Sequence, residues 1–199
     1  MANKKLGIYI HIPFCKSKCI YCDFFSAPAD GHTRNKYLEA LCTQINSKAP
    51  GIAAEYEVDS IFFGGGTPSI TDAAGLMNVL DAIYNNFTLS DDCEITIECN
   101  PGTIDEEKLA IYREKGVNRL SFGLQSVNDD ELKMLGRIHS FEGFMASYEA
   151  AAKTGFDNIN IDIMSGIPGQ TPAAWRKTLR TVMMLRPAHI SAYSLIIED

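Results

Sequence analysis

The sequence predicts an α/β fold: a partial (β/α)6 barrel of parallel strands with outer helices. Apolar runs of strand length alternate with helical patterns through the 199 residues, which favours a parallel sheet built from right-handed βαβ units. In at least four of these runs apolar and polar residues alternate, so each strand has one apolar and one polar face. A parallel sheet covered on both faces would be apolar throughout. We therefore expect helices on one face and a hydrated or ligand-filled bore against the other.

The individual elements follow from the same patterns. Strands are predicted at about 6–12, 58–63, 94–99, 118–124, 158–164 and 189–196. A first helix is predicted near 33–47, a second after Thr71 or Asp72, and a third from a capping box of Thr103 and Glu106 to Gly116. Two helical pieces broken near Gly136 follow the fourth strand. The last helix is predicted to begin at Thr171, with Pro172 at its first helical position.

Composition and charge bound the class of protein. Hydrophobic residues make up 46% and charged residues 22% of the chain, which is ordinary for a globular protein, and the length predicts one domain. The net charge of −7 argues against nonspecific binding to the negatively charged phosphates of nucleic acid. The sequence shows no signal-peptide h-region and no apolar run of transmembrane length. We therefore expect no transmembrane segment and a cytoplasmic location, where thiols stay reduced.

Three closely spaced cysteines follow the first predicted strand. Cys15, Cys19 and Cys22 have C-x3-C-x2-C spacing, and such soft thiolates select zinc, copper(I) or an iron–sulfur cluster. Three ligands on a four-iron cube leave one iron open, whereas a structural zinc site normally has four. His11 could complete a Cys3His zinc site, so a structural zinc protein remains an alternative at this point. The scattered Cys42, Cys93 and Cys99 are interpreted as buried, inert thiols.

Polar groups also follow the next four strands, where parallel folds place their active sites. The run Phe63-Gly64-Gly65-Gly66-Thr67-Pro68 exposes backbone groups to a ligand without obstruction by side chains, and it matches neither the P-loop nor the dinucleotide pattern. Glu98 and Gln125 end the third and fourth strands on the polar face. Arg137 lies in the helical break and could pair with a ligand carboxylate, and Asp162 faces inward on the fifth strand.

The cysteine spacing resembles that of the radical S-adenosylmethionine (SAM) superfamily. The further runs Y-I-H-I-P-F-C, G-G-G-T-P-S, I-E-C-N-P-G, S-F-G-L-Q-S and S-G-I-P-G-Q-T are similar to the branch that contains oxygen-independent coproporphyrinogen III oxidase and its haem-chaperone relatives. The resemblance implies that Cys15, Cys19 and Cys22 hold a [4Fe–4S] cluster whose fourth iron binds SAM. It further implies SAM contacts from a larger set of residues: Tyr9, Tyr21, Gly65, Gly66, Thr67, Glu98, Gln125, Arg137, Asp162 and Ile196.

Two departures from the oxidase pattern shape the functional expectation. The oxidase has a further cysteine two residues beyond the third, whereas this chain has Cys22-Asp23-Phe24, which is similar to the haem-chaperone branch. Family members also continue beyond the sixth strand into a closing helix and a C-terminal domain. We therefore expect residues 1–199 to form a radical SAM core domain truncated after the sixth strand.

The resemblance then implies a function in haem or porphyrin metabolism. The leading hypothesis is a haem chaperone, which would bind haem and pass it to an acceptor protein that the sequence does not identify. The alternative is an oxidase that decarboxylates coproporphyrinogen III to protoporphyrinogen IX, so the sequence leaves open whether the protein is an enzyme. Either function implies an electron donor such as flavodoxin or ferredoxin.

Overall fold

A computed structural model of the chain, in which residues 4–196 are described, contains one parallel sheet of six strands. Each strand pairs with the next one along the chain, in the order β1-β2-β3-β4-β5-β6. The strands are β1 (Lys4–Ile12), β2 (Tyr56–Gly65), β3 (Thr88–Cys99), β4 (Arg119–Gln125), β5 (Ile159–Ser165) and β6 (His189–Ser194). This topology confirms the predicted α/β fold with a partial six-stranded barrel.

Helices connect the successive strands. They are α1 (Gly31–Lys48), α2 (Ala73–Tyr84), α3 (Glu106–Glu114), α4 (Asp129–Met134), α5 (Phe141–Lys153) and α6 (Pro172–Leu185). Short 3₁₀ turns lie before and after β2. The break at Gly136 is real, and the last helix has Thr171 as its N-cap and Pro172 in its first turn, as predicted. No helix within residues 4–196 is long and apolar enough to cross a membrane.

The apolar faces of the strands form the core under the helices. Ile12, Phe63, Ile97, Phe122 and Ile161 are fully buried, one from each of the first five strands. Burying such side chains contributes roughly 1.5–3 kcal/mol each to folding. The opposite, inner faces carry polar groups that bond between neighbouring strands, as where Asn160 on β5 donates to Ser121 of β4 at 2.8 Å. The predicted division into an apolar and a polar face is therefore confirmed.

The third helix begins differently from the prediction. Its N-cap is Asp105, whose carboxylate accepts a hydrogen bond from the Lys108 backbone at 2.8 Å. Thr103 does not cap the helix, because its hydroxyl donates to the Asn100 carbonyl at 2.7 Å and also lies 2.6 Å from the Ser69 hydroxyl. The capping box of Thr103 and Glu106 was therefore wrong, since tertiary contacts took the threonine side chain.

Candidate cofactor site

The carboxyl ends of the strands surround one open cavity with about 680 Å³ of empty space, open solvent included. It brings together residues from the cysteine loop, from the glycine-rich loop and from the ends of β3, β4, β5 and β6. Eleven predicted site residues line it: Cys15, Cys19, Tyr21, Cys22, Gly65, Gly66, Thr67, Glu98, Gln125, Arg137 and Asp162. Their assignment as cluster ligands and SAM contacts stays a prediction, but the fold gathers them at one place.

The cysteine loop leaves β1 and is held at both ends. The Cys15 backbone donates to the Ala27 carbonyl at 3.2 Å, and the Ala27 backbone donates to Pro13 at 3.0 Å. Between these anchors the three thiols are free, half-buried and on the wall of the cavity. The loop also packs on the end of α4, where the Ile20 backbone donates to the Leu135 carbonyl at 3.3 Å. Three soft thiol ligands on one fixed loop suit an iron–sulfur cluster.

Two of the three thiols face a hydrogen-bond donor. The Thr67 hydroxyl lies 3.6 Å from the Cys15 sulfur, and the Arg137 guanidinium lies 3.7 Å from the Cys19 sulfur. Donors aimed at sulfur stabilise the thiolate form that ligates metal and tune an attached cluster. This donor set therefore fits a [4Fe–4S] cluster held by the loop.

The geometry gives the zinc alternative no support. The His11 Nε2 atom lies 2.9 Å from the Phe25 carbonyl, so this nitrogen donates there, and Nδ1 lies 3.4 Å from the Tyr9 hydroxyl. Both ring nitrogens are thus used away from the thiols. Within residues 4–196 no group of three or more histidine, cysteine, aspartate or glutamate side chains is arranged to hold a single metal ion.

The glycine-rich loop passes close behind the cysteine loop. A Cβ at Gly66 would lie 2.6 Å from the Phe14 carbonyl oxygen and 2.9 Å from the Cys15 sulfur. Gly65 has φ = +116°, which favours glycine, and its amide donates to the Glu98 carboxylate at 3.1 Å. The glycines are required because the two loops approach each other at backbone distance, which places the backbone of Gly65 and Gly66 on the cavity wall.

Two carboxyl groups face the cavity from β3 and β5. Burial, with the nearby Asp162 charge as a smaller cause, raises the pKa of Glu98 to about 7. Burial also raises the pKa of Asp162, although Asn160 donates to it at 2.7 Å. Buried acids with raised pKa values stabilise a bound cation or donate and accept hydrogen bonds with hydroxyl groups. SAM offers both, through its ammonium and sulfonium charges and its ribose.

Arg137 reaches the cavity because α4 ends in a tight C-cap. The Arg137 backbone donates to the Leu132 carbonyl at 2.9 Å across Gly136, whose φ of +72° allows the reversal. The guanidinium then bonds the Asn100 side chain at 2.7 Å and the Gly123 carbonyl. Its Nε atom is buried without a hydrogen-bond partner. A cation held at three points, with a donor still to be satisfied, fits an anionic group such as the SAM carboxylate.

Gln125 ends β4 in a strained conformation. Its φ of 72° is left-handed, and the ladder to β5 shifts at this point. Its side-chain amide lines the cavity, where the amide oxygen accepts a hydrogen bond from the Tyr193 hydroxyl at 2.7 Å. Gln125 and Tyr193 thus close the side of the cavity formed by β4 and β6.

Two predicted site residues lie outside this cavity. Tyr9 stacks on Phe62 at a ring distance of 6.0 Å on the inner side of β1, and 57% of it is exposed. Ile196 lines a neighbouring, mainly apolar groove, together with Leu195, Pro168 and the cysteine-loop residues Tyr21 and Cys22. Since Tyr21 and Cys22 belong to both walls, the groove adjoins the cavity. Ile196 is therefore next to the main site, whereas Tyr9 lies in the middle of β1.

Sequence reasoning missed four polar residues that line the cavity, of which Ser17 lies on the cysteine loop. Asn100 follows β3, Ser121 lies on the inner face of β4, and Tyr193 lies on the inner face of β6. The alternation of His189, Ser191 and Tyr193 along β6 carried the signal for the last of these. Asn100 had no such signal, because its orientation depends on contacts with two other loops.

Residues 9–182 match the family model described as the Radical SAM superfamily. The chain belongs to the radical SAM superfamily. Membership implies a [4Fe–4S] cluster and SAM as cofactors, and together they supply one-electron cleavage of a sulfonium carbon–sulfur bond when bound.

Curated relatives and solved structures agree with this assignment. The chain is similar to the heme chaperone HemW of Bacillus subtilis (strain 168), at 41% identity over 192 residues, covering 96% of this chain and 50% of the relative. It is also similar to the heme chaperone HemW of Escherichia coli (strain K12), at 38% identity over 194 residues, covering 97% and 51%. The chain thus spans about half the length of the curated relatives it matches.

Two solved structures define the structural likeness. Coproporphyrinogen III oxidase (HemN) from Escherichia coli has a TM-score of 0.90 at 33% identity, over 98% of this chain and 45% of that chain. Native anSMEcpe with bound AdoMet has a TM-score of 0.67 at 15% identity, over 96% and 51%. At 15% identity the second likeness shows the fold alone.

Proposed function

We propose that this radical SAM protein acts as a haem chaperone, which binds haem and transfers it to an acceptor protein. The observation that carries the proposal is the similarity of nearly the whole chain to relatives named as heme chaperones, at 38% and 41% identity. We further propose that residues 1–199 act as a radical SAM core domain and that the function is cytoplasmic, where the three thiols stay reduced.

In this proposal the cavity holds the cofactors, and different groups of lining residues contact different parts of them. Cys15, Cys19 and Cys22 ligate the cluster. The Gly65–Thr67 backbone and the Glu98 carboxylate receive the ammonium group and the ribose of SAM, and Asp162 bonds the remaining hydroxyl groups.

The other side of the cavity orients and covers the ligand. Arg137 pairs with the SAM carboxylate, and Gln125 bonds from the β4 side. Tyr21 and Ile196 bound the apolar groove that adjoins the cavity, which suits the flat adenine base. Tyr9 does not line the cavity, and its contact with SAM stays a prediction.

Exposed apolar residues on the cysteine loop support a haem site nearby. Ile20, Phe24 and Phe25 are 78%, 66% and 83% exposed, and Phe24 also lines the cavity. Large apolar side chains exposed together at the mouth of a site mark an interaction surface. Haem, an apolar macrocycle with carboxylate groups, suits this surface. Its carboxylates can pair with Lys16 and Lys18, which are exposed on the same loop.

The second candidate function is coproporphyrinogen III oxidase, favoured by the TM-score of 0.90 to the solved oxidase. Phe24 counts against it, because the oxidase has a cysteine two residues beyond the third ligand. Both candidates use a one-electron donor, and we propose a flavodoxin or a ferredoxin for this role.

Haem titration separates the two functions. Protein reconstituted anaerobically with iron and sulfide is expected to bind haem one to one, seen as a saturating Soret band. An anaerobic assay with coproporphyrinogen III, SAM and reductant is expected to give no protoporphyrinogen. Oxidase product without stoichiometric haem binding would replace the first proposal by the second. Colourless protein containing zinc and no acid-labile sulfide would overturn both.

A further inference from the structure

Asn100 lies between the two donors that face the cluster cysteines. It directly follows β3, in a segment where its carboxamide reaches both the glycine-rich loop and the segment after α4. Its Oδ1 atom accepts from the Arg137 guanidinium at 2.7 Å, and its Nδ2 atom donates to the Thr67 hydroxyl oxygen at 2.7 Å. One amide side chain therefore touches the partner of Cys15 and the partner of Cys19.

The direction of these hydrogen bonds follows from the chemistry of arginine. A guanidinium only donates, so the Asn100 oxygen must face Arg137 and the Asn100 nitrogen must face Thr67. The Thr67 hydroxyl then accepts from Asn100 and keeps its single proton for another acceptor. That acceptor is the Cys15 sulfur, 3.6 Å away. The amide thus fixes which way the threonine proton points.

The backbone of Asn100 is held as firmly as its side chain. Its amide donates to the Ser69 hydroxyl at 3.2 Å, and its carbonyl accepts from the Thr103 hydroxyl at 2.7 Å. The Lys108 ammonium ties the surrounding turns together by donating to the Ser69, Thr71 and Thr103 carbonyls at 2.8, 3.0 and 3.2 Å. This explains why Thr103 is unavailable to cap α3.

We propose that Asn100 is a positioning residue that aims the Thr67 hydroxyl at the Cys15 sulfur and the Arg137 guanidinium at the Cys19 sulfur. The inference rests on the proposed cluster, and it concerns no property of haem. Hydrogen bonds to cysteine sulfur stabilise the more negative, reduced cluster and so raise its reduction potential. Asn100 sets two of these bonds at once without touching a sulfur itself.

The test is a double-mutant cycle on the anaerobically reconstituted protein. Asn100→Leu, of similar size and without hydrogen bonds, is expected to lower the midpoint potential of the cluster and to change its electron paramagnetic resonance signal. Thr67→Val is expected to shift the potential in the same direction. If Asn100 acts through Thr67, the double variant shifts the potential by less than the sum of the single shifts.

Two further variants keep the outcome decisive. Asn118→Leu also removes an amide that both accepts and donates hydrogen bonds, here to the β3 backbone at 2.8 Å, and it is expected to lower stability without moving the potential. Asn100→Asp keeps the shape of the side chain, but its carboxylate accepts the Thr67 hydroxyl proton, which is then no longer directed at Cys15. This variant is therefore expected to lower the potential, and it provides the test if Asn100→Leu fails to fold.

The outcomes distinguish this inference from the proposed function. Wild-type protein without a cluster would overturn the proposed function itself. A wild-type cluster whose potential is unchanged in Asn100→Asp, or single shifts that add fully in the double variant, would overturn the positioning role alone.

Discussion

The side chains around the cavity fall into soft ligands, buried acids and fixed donors, and each type makes a different demand on its surroundings. The thiols need a loop whose ends are anchored and whose sulfurs are exposed to the ligand. Glu98 and Asp162 need burial, which raises their pKa values and prepares them for a cation. The residues that meet these requirements are far apart in sequence. Single substitutions at Cys19 and Glu98 test their roles separately.

Replacing one of the three cysteines of the cysteine loop should remove the cluster. Cys19→Ala is expected to lose the brown colour and most of the bound iron and acid-labile sulfide, because two thiolates cannot hold the cube. Iron and sulfide analysis after anaerobic reconstitution measures this. Cys42→Ala is the matched control, since this half-buried thiol lies on α1 and does not line the cavity. An equal loss of iron in both variants would contradict the assignment.

Glu98 should make stability and SAM affinity respond to pH in opposite directions. Its folded pKa of about 7 lies above the usual value of 4.5, so the folded state binds the proton more tightly than the unfolded state. The free energy of unfolding therefore decreases as pH rises from about 4.5 to 7, by roughly 3 kcal/mol in total. SAM binding should instead strengthen over this range, because the ionised carboxylate attracts the ligand cation.

Glu98→Gln isolates this effect. The variant is expected to be more stable than the wild type at pH 8, with little difference at pH 4.5, and to bind SAM more weakly. Urea denaturation at several pH values and calorimetric SAM titration provide the two measurements. A wild type and variant with parallel stability profiles would show that Glu98 does not carry the pH dependence.

At the scale of elements, the close approach of the glycine-rich loop to the cysteine loop decides the geometry of the site. Gly66→Ala places a Cβ 2.6 Å from the Phe14 carbonyl oxygen, so one of the two backbones must move. We expect a loss of roughly 1–3 kcal/mol in unfolding free energy and reduced cluster content. Gly51→Ala serves as the control, because a Cβ there meets no atom within 4 Å. Thermal denaturation and iron analysis compare the two, and equal stability would refute the clash.

The positions of the strands were predictable from the sequence because burial of one face makes apolar and polar residues alternate along a strand. Proline and threonine at the start of α6 also specified its N-terminus locally. Thr103 failed as a cap because its partners, Ser69 and Asn100, come from elsewhere in the chain. Tyr9 was on the predicted inner face, but its stacking on Phe62 of β2 is a tertiary contact that periodicity does not encode.

At the scale of the whole molecule, the sheet is an open arc within the described residues. β6 pairs only with β5, and most of its residues are exposed or half-buried, whereas β4 is paired on both sides and largely buried. Amide hydrogen exchange should therefore be at least about tenfold faster in β6 than in β4. Mass spectrometry of exchanged peptides measures this, and equal protection in both strands would contradict an open arc.

The strand order also has a consequence for biogenesis. Each strand pairs with its sequence neighbour, so βα units can join the growing sheet one after another as the chain is synthesised. The cysteine loop emerges from the ribosome before Asp162 and Tyr193 are synthesised. Nascent chains therefore carry bare thiols while the later strands are made, and a cavity that needs Asp162 and Tyr193 is complete only after β5 and β6 have docked.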